Sequence, residues 1–383
     1  MSPRTTLILV SLTLAGAACA ADRNGPDLPP AASALDSVLL EARAAAGLPA
    51  MAAIVVRADT TLAIGAVGVR KQGGHAAVST ADRFHLGSNV KAMTATMIAT
   101  LVEEGALHWA TRPVDVFPEL AGEINPAFGQ VTLEQLLQHR AGIEPLLYFG
   151  DVPPFAGTPA EQRYQGTALV LGLDPAGPVG EFLYSNAGYA VAAAMAERVT
   201  GSPWEQLMTE RLFAPLGITP LFGWPAAATA GAPWGHAPQG NRLVPLDPMA
   251  PTMPAAIDPA GEQSLTLEAY ARFAQLHLRG LAGRPSLVGT PTYARLHAPV
   301  GDYALGWGVV DFAGEMTSTH NGSTGAFYAT VFLQPGRDLA VIVVSNAGGD
   351  TAAAATVGAG IELLRRYGGA VPGAAVAARL AAL

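Results

Sequence analysis

A serine and a lysine stand three residues apart in Ser88-Asn89-Val90-Lys91, where a helical run of the chain begins. At that spacing in a helix, the two side chains lie on one face, one turn apart. A lysine that burial keeps neutral can take the proton of a neighbouring hydroxyl. The chain has only two lysines, Lys71 and Lys91, and arginine, which stays protonated, could not serve in this role. The pattern predicts covalent catalysis by Ser88; a helix-capping serine beside an ordinary lysine is the structural alternative.

A second polar group, Tyr184-Ser185-Asn186, precedes a helical run at residues 188–199. A loop that leads into a helix can present polar side chains to a cleft. A tyrosine hydroxyl near Lys91 could act as general base for Ser88 and later as general acid for the leaving group. Asn186 could hold an amide carbonyl of the substrate. A buried tyrosine whose hydroxyl is satisfied by the turn is the alternative.

A third group, His320-Asn321-Gly322, lies in a glycine-rich run before an apolar stretch at residues 326–333. The H-x-G pattern is weak by itself, and His85-Leu86-Gly87 is a second copy of it. Glycine at this place would let a ligand approach the backbone. The backbone N–H groups of Ser323 and Ser88 could then form an oxyanion hole. A histidine with a purely structural role is the alternative.

The elements that must position these residues are strands at both ends of the chain, with helices between them. Apolar spacing and turn residues predict helices at 34–46, 91–104, 188–199 and 351–366, and strands at 51–57, 62–69, 304–310, 326–333 and 339–345. Residues 59–61 and 335–338 are predicted hairpin turns. Residues 114–254 are predicted to be helix and loop.

These elements predict an α+β fold, with one antiparallel sheet built from both chain ends and helices on its faces. A mostly helical second lobe, roughly residues 114–255, would complete it, and the active site would lie in the cleft between sheet and lobe. We assign residues 33–370 to this domain and residues 371–383 to an alanine-rich tail. A large core is expected, because 50% of the 383 residues are hydrophobic and only 14% are charged.

Residues 1–20 are typical of a signal peptide, and residues 21–32 of a linker. Arg4 precedes an apolar stretch, residues 5–18, that is too short to span a bilayer. Small residues then surround Cys19, the single cysteine of the chain. Ordinary signal cleavage and lipidation of Cys19 both fit this pattern. We expect an exported protein, periplasmic or secreted, that contacts a membrane only through a lipid on Cys19.

Charge and residue spacing argue against several other classes of protein. The net charge is −8 and no cluster of basic residues marks a nucleic-acid surface. The eight histidines form no H-x-H or H-E-x-x-H group, so we expect no metal and no other cofactor. No G-x-S-x-G pentapeptide occurs, which argues against an α/β-hydrolase. The expected partner is a small-molecule or peptide substrate.

In these motifs the chain resembles the serine β-lactamase and D,D-peptidase family, specifically its class C β-lactamase-like branch. Residues 88–91 match the family's S-x-x-K motif, 184–186 its Y-x-N motif and 320–322 the H-x-G form of its third motif. The resemblance covers about residues 33–367, including the stretches 132–133, 136–137, 139–142, 184–204, 215–218 and 303–307. It implies that Ser88 is the nucleophile, that Lys91 and Tyr184 share base and acid duty, that Asn186 helps to place the substrate, and that His320 lines the opposite wall.

The third motif departs from that of typical β-lactamases. His320 stands where they carry lysine, and Asn321 replaces a hydroxyl residue, so a fixed cation for a substrate carboxylate is weakened. We expect a serine hydrolase that acts through an acyl-enzyme on an ester or amide, of esterase, D-amino-acid peptidase or β-lactamase type. The alternative is a non-catalytic penicillin-binding-like or peptide-binding envelope protein with the same fold. Whether Lys91 or Tyr184 is the kinetic base stays open.

Overall fold

A computed structural model describes residues 34–147, 149–250 and 253–369. The predicted signal peptide, linker, Cys19 and alanine-rich tail lie outside the described residues. The α-helices are α1 (Ala34–Ala46), α2 (Val90–Glu103), α3 (Pro113–Val116), α4 (Leu133–Leu137), α5 (Pro159–Gly172), α6 (Asn186–Thr200), α7 (Trp204–Met208), α8 (Pro225–Ala228), α9 (Leu267–Leu281), α10 (Thr290–Leu296) and α11 (Asp350–Gly368). Short 3₁₀ helices that bear on the site are Gly87–Asn89 and Ala255–Ala260.

The strands are β1 (Ala50–Arg57), β2 (Thr60–Gly68), β3 (Arg83–His85), β4 (His236–Gln239), β5 (Arg242–Pro245), β6 (Ser264–Thr266), β7 (Gly308–Phe312), β8 (Glu315–Ser323), β9 (Tyr328–Gln334) and β10 (Leu339–Ser345). Six of them form one antiparallel sheet in the order β2-β1-β10-β9-β8-β7. β1 pairs directly with β10, so that Ile54 lies opposite Ile342. The predicted α+β class, with a sheet built from both chain ends, is confirmed.

The central sheet is buried on both faces. Successive residues of a strand point to opposite faces, and β1 is apolar on each. Ile54 and Val56 belong to the large core shared with α2 and α6, whereas Ala53 and Val55 belong to a smaller core with α1 and α11. Helices therefore cover both faces of the sheet, and α2, which carries Lys91, packs on the face with the larger core.

β8 is a strand of the central sheet that the sequence does not predict. Its residues are mostly polar, and the sequence shows only a glycine-rich run near its end. Residues 317–322 are nevertheless buried within the sheet. Cross-strand partners satisfy the polar groups: Thr319 Oγ1 donates to the carbonyl of Val331 at 2.7 Å, and Gln334 Nε2 donates to Thr317 Oγ1 at 3.0 Å. A polar segment can therefore be an interior strand when its neighbours supply the hydrogen bonds.

The chain between β2 and β7 is mainly helical but also contains a β-hairpin. β4 and β5 pair with Gln239 opposite Arg242, across a two-residue turn in which Gly240 has φ of 60°. The prediction of helix and loop for residues 114–254 needs this correction. Pro238 and Pro245 lie within the two short strands, and proline weakens a strand pattern in sequence. Within the described residues, the helices are all too short or too polar to cross a membrane.

A buried ion cluster holds α6, which begins within the second motif, against its neighbouring helices. Arg163 of α5 is fully buried and binds Glu197 of α6 at 2.6 Å and Glu205 of α7 at 2.9 Å. Trp204, at the start of α7, donates its indole N–H to Thr94 of α2 at 3.2 Å. Because a buried charge pair is costly to separate, these contacts hold α5, α6 and α7 together and join them to α2.

Candidate active site

Ser88 lies in the single-turn helix Gly87–Asn89, which runs directly into α2. Gly87 has φ of 51°, in the left-handed region that favours glycine. A Cβ atom at this position would lie 2.7 Å from the backbone N of Ser323 in β8. Both the backbone angle and the contact with β8 therefore require glycine at 87. The turn holds Ser88 partly exposed beside the sheet.

Lys91 is the buried partner of Ser88. Its Nζ lies 3.1 Å from Ser88 Oγ, 2.7 Å from Asn186 Oδ1 and 2.9 Å from the carbonyl oxygen of Ala260. Lys91 has no exposed surface, although it lies only one helical turn from the partly exposed Ser88. The i, i+3 spacing thus places the two side chains in contact, one facing solvent and the other the interior.

The surroundings of Lys91 favour its neutral form. Burial holds the pKa of the Lys91 amine well below its ordinary value, because its partners are uncharged oxygens that do not repay the loss of water. A neutral amine has two N–H groups and one lone pair. The carbonyl-type oxygens of Asn186 and Ala260 can only accept, so they take the two N–H groups. The remaining position of the nitrogen then faces Ser88 Oγ, at 3.1 Å.

Tyr184 approaches Ser88 from the second motif. Its hydroxyl is near enough to Ser88 for that residue to influence the pKa of the phenol, and Lys91 Nζ lies 4.8 Å from the centre of its ring. Burial raises the pKa of the Tyr184 phenol above its ordinary value, and Ser88 only partly offsets this effect. Tyr184 is therefore a protonated phenol at neutral pH. Ser88, Lys91 and Tyr184 form one contiguous group.

Asn186 is the first residue of α6, and both ends of its amide are used inside the protein. Its Oδ1 accepts from Lys91, and its Nδ2 donates to the carbonyl of Leu146 at 2.9 Å. Ser185 caps the helix, since its Oγ accepts from the backbone N–H of Gly188 at 3.0 Å. The sequence predicts that Asn186 holds a substrate amide. The structure adds a role that the sequence does not predict, because Asn186 Oδ1 accepts from Lys91 Nζ.

His320 lies on β8 and is almost entirely buried. Its Nδ1 donates to the carbonyl of Asn321 at 2.6 Å, and its Nε2 accepts from the Tyr303 hydroxyl at 2.9 Å. Burial is the main effect that lowers the pKa of His320 to about 3. The ring is therefore neutral and both nitrogens are occupied, which leaves no fixed cation at this position of the third motif.

Gly322 and Ser323 face the turn that carries Ser88. A Cβ atom on Gly322 would overlap the Leu86 carbonyl oxygen and lie 2.9 Å from the backbone N of Ser88. The sequence predicts that glycine here lets a ligand approach, but the chain's own Ser88 turn occupies that space. Asn89 Nδ2 also donates to the Leu86 carbonyl, at 3.1 Å. Ser323 is exposed at the end of β8, next to this contact.

One contributor to the site carries no sequence signal that could have identified it. The Ala260 carbonyl binds Lys91 from the end of a 3₁₀ helix, and a backbone carbonyl leaves no trace in residue type. Tyr303 binds His320, and the ring centre of His139 lies 4.2 Å from that of Tyr184. Both residues fall in stretches that resemble the family, but residue type alone assigned neither of them a role.

The buried histidines elsewhere are used for internal hydrogen bonds. His277 Nδ1 lies 2.8 Å from His297 Nε2, and the remaining ring nitrogens of this pair contact Thr96 at 3.2 Å and Ser318 at 2.7 Å. In the part of the chain that the structure describes, no three His, Cys, Asp or Glu side chains are grouped closely enough to hold a metal ion.

This fold, with a serine and a buried lysine at the start of one helix, is that of the serine β-lactamase and penicillin-binding-protein superfamily. The Beta-lactamase family model matches residues 35–364, and the chain belongs to that family. The resemblance predicted from the three motifs is confirmed at the level of the family.

The proteins similar in sequence include bacterial and fungal relatives. The chain is 28% identical over 313 residues to "Penicillin-binding protein 4" of Amycolatopsis lactamdurans, which covers 78% of this chain and 81% of that protein. It is 24% identical over 281 residues to an "Unguisins hydrolase" of Aspergillus campestris, which covers 69% of this chain and 52% of that protein. The chain thus spans about half the length of that fungal relative.

Solved structures share the fold at low sequence identity. The octameric penicillin-binding protein homologue from Pyrococcus abyssi gives a TM-score of 0.71 at 22% identity, over 87% of this chain and 77% of that chain. A class C β-lactamase from Rhodobacter sphaeroides gives a TM-score of 0.70 at 18% identity, over 86% of this chain and 99% of that chain. These similarities establish the fold.

The ionisation of Lys91 can be measured without a substrate. In protein labelled with ¹³Cε-lysine, the variant Lys71→Arg leaves Lys91 as the single lysine, so its NMR signal needs no further assignment. We expect the chemical shift of a neutral amine at pH 8, with protonation as the pH falls through a value below the ordinary lysine range. An ammonium shift that persists to pH 10 would contradict a neutral Lys91.

Proposed function

We propose that this protein is an exported serine hydrolase that forms an acyl-enzyme through Ser88 on an ester or amide substrate. The observation that carries the proposal is the 3.1 Å contact between Ser88 Oγ and the fully buried Nζ of Lys91. A buried amine among uncharged partners is costly unless it stays neutral. A neutral amine at hydrogen-bond distance from a hydroxyl is a base for it. A protein that only binds its ligand needs no such pair.

In the proposed acylation step, Ser88 Oγ attacks the carbonyl carbon of the substrate and its proton passes to Lys91 Nζ. The new C–O bond produces a tetrahedral intermediate with a negatively charged oxygen. We assign the base to Lys91 rather than to Tyr184, because burial raises the pKa of the Tyr184 phenol and keeps it protonated. This assignment addresses the question that residue types leave open.

Tyr184 is the proposed proton donor to the leaving group. As the bond to the leaving group breaks, the Tyr184 hydroxyl gives up its proton and the Lys91 ammonium returns one to the phenolate. Lys91 Nζ lies 3.1 Å from Ser88 Oγ and 4.8 Å from the centre of the Tyr184 ring, so the three groups are close together, as this transfer requires. In deacylation, water attacks the acyl carbon, its proton passes to Lys91, and Ser88 leaves with a proton.

The backbone N–H groups of Ser88 and Ser323 are the proposed oxyanion hole. Ser88 lies in the first turn of a helix, where N–H groups have no carbonyl one turn earlier to bind. Contact between Gly87 and the Ser323 backbone holds the end of β8 against this turn. Two N–H donors that need no rearrangement stabilise a developing oxyanion more effectively than water does.

The character of the third motif supports esters over β-lactams as substrates. His320 is neutral and binds Tyr303 and the Asn321 carbonyl, so it supplies no permanent charge for a substrate carboxylate. Asn321 Oδ1 accepts from the Thr330 hydroxyl at 2.7 Å. β-Lactams and D-alanyl peptides both carry that carboxylate, whereas simple esters do not. The names of the relatives, a penicillin-binding protein and an unguisins hydrolase, are consistent with acyl substrates of this general kind.

Covalent catalysis is tested by intact-mass measurement after incubation with a fluorophosphonate. We expect one adduct on the peptide that contains Ser88, and none in Ser88→Ala. In Lys91→Arg, which keeps the charge but removes the proton acceptor, labelling should slow by roughly 10²- to 10⁴-fold. An adduct that persists in Ser88→Ala, or a complete lack of adduct in the wild type, would instead favour the non-catalytic alternative or a different nucleophile.

Substrate preference is tested by kcat/KM for p-nitrophenyl butyrate and for a chromogenic cephalosporin on one preparation. We expect the ester to be preferred, because His320 offers no cation for the cephalosporin carboxylate. We also expect any β-lactam turnover to be limited by deacylation. A tenfold preference for the cephalosporin, about 1.4 kcal/mol of transition-state free energy, would show that the esterase assignment is wrong.

The export part of the proposal rests on residues 1–20 and their apolar stretch. Protein purified from its native envelope should lack at least residues 1–18, which its intact mass would show. A lipid-sized mass on a peptide that begins at Cys19 would identify the lipidated form, and a start at residue 21 or 22 the soluble form. Retention of Met1 is the result that contradicts export by this route.

A further inference from the structure

We infer that His139 is a positioning residue that holds Tyr184 in the orientation needed for proton donation to the leaving group. The inference rests on the role proposed for Tyr184, and it concerns a residue outside the three motifs. His139 contacts Tyr184 and its two neighbours in the chain through its backbone, one imidazole nitrogen and its ring face. Its backbone also has a positive φ.

His139 accepts hydrogen bonds from the backbone N–H groups of the residues before and after Tyr184. The backbone N–H of Leu183 donates to the His139 carbonyl at 2.8 Å. The backbone N–H of Ser185 donates to His139 Nδ1 at 3.1 Å. One residue therefore fixes the main chain immediately before and immediately after the tyrosine, and only the second of these bonds needs an imidazole.

The ring of His139 also supports the ring of Tyr184. Their centres lie 4.2 Å apart, and the planes are inclined at 39°. Tyr303, Tyr189 and Phe182 surround the same imidazole, with ring centres at 4.7, 5.3 and 5.9 Å. His139 is 1% exposed, so it cannot move aside to admit another orientation of the tyrosine. The phenol is therefore held in one orientation beside Lys91, whose Nζ lies 4.8 Å from the ring centre.

The backbone of His139 is in a conformation that the end of a helix normally gives to glycine. Residue 139 follows α4 and has φ of 59°. Its N–H donates to the carbonyl of Leu136, and the N–H of Arg140 donates to the carbonyl of Gln135 at 2.8 Å. This pair of bonds is the Schellman motif, whose left-handed residue is usually glycine. Helix termination alone would favour glycine, so the imidazole is retained for its contacts with the tyrosine.

The tautomer of His139 indicates that it positions Tyr184 and does not transfer protons. Because Nδ1 accepts from Ser185, the ring proton of the neutral form is on Nε2. Nε2 is buried and has no hydrogen-bond partner among the described residues. A proton relay needs a partner on each side, and here only Nδ1 has one. The ring therefore acts through Nδ1 and its face.

The test compares a good and a poor leaving group. p-Nitrophenolate departs without protonation, whereas the alkoxide of an alkyl butyrate needs a proton from Tyr184. In His139→Gly, which suits the left-handed backbone, we expect kcat/KM for the alkyl ester to fall by roughly 10²-fold, as for a misplaced catalytic group, and that for p-nitrophenyl butyrate by only a few-fold. His139→Asn tolerates the same φ and offers Oδ1 to the Ser185 N–H, so it should restore much of the loss.

Two further variants separate the possible failures. Tyr184→Phe should show the same leaving-group dependence, and the double variant Tyr184→Phe, His139→Gly should lose little more on the alkyl ester. His277→Asn, at a histidine buried elsewhere, should affect both esters equally. If Tyr184→Phe is selective for the alkyl ester but His139→Gly is not, the inference about His139 is overturned and the proposed function stands. If Tyr184→Phe shows no selectivity, the role of Tyr184 falls and the inference falls with it.

Discussion

The burial of one amine among uncharged oxygens is the constraint on which the rest of this site depends. Lys91 has no exposed surface, and its acceptors come from α6, through Asn186, and from a 3₁₀ helix, through Ala260. These segments are far apart in the chain, so the neutral lysine exists only when the helical part is assembled on α2. The ion cluster around Arg163 and the indole of Trp204 maintain that assembly. Stability of the helical layer and activation of Ser88 therefore have the same structural origin.

A second constraint is the close approach of two backbone segments. The turn at Gly87 and strand β8 at Gly322 are near enough that a Cβ atom at either position would overlap the other segment. This contact joins the turn before the N-terminus of α2 to the sheet. It also sets the separation of the Ser88 and Ser323 N–H groups. Glycine at 322 is thus explained by the protein's own packing, which a ligand-binding interpretation of the H-x-G motif would miss.

The groups around Tyr184 are aromatic and uncharged, and this defines the chemistry the site can support. Burial lowers the pKa of both His139 and His320, so neither ring competes with Lys91 for a proton at neutral pH. In the proposed mechanism, protons then move among Ser88, Lys91 and Tyr184. Family members with a lysine in the third motif would have a cation where this chain has a neutral imidazole. The proposed preference for esters without a carboxylate rests on that difference.

The sequence by itself determined the family, through the resemblance that its three motifs carry, and the α+β class, through apolar strands near both chain ends and helices between them. It also determined the Ser88–Lys91 contact, because residues three apart in a helix lie on one face. It did not predict β8, since Thr319 and its polar neighbours are buried only by virtue of cross-strand hydrogen bonds. Nor did it place Asn186 on Lys91 or identify the Ala260 carbonyl, which depends on a backbone atom and not on a residue type. Only the tertiary structure decided the protonation states of Lys91 and Tyr184, because pKa shifts depend on burial and on neighbours distant in the chain.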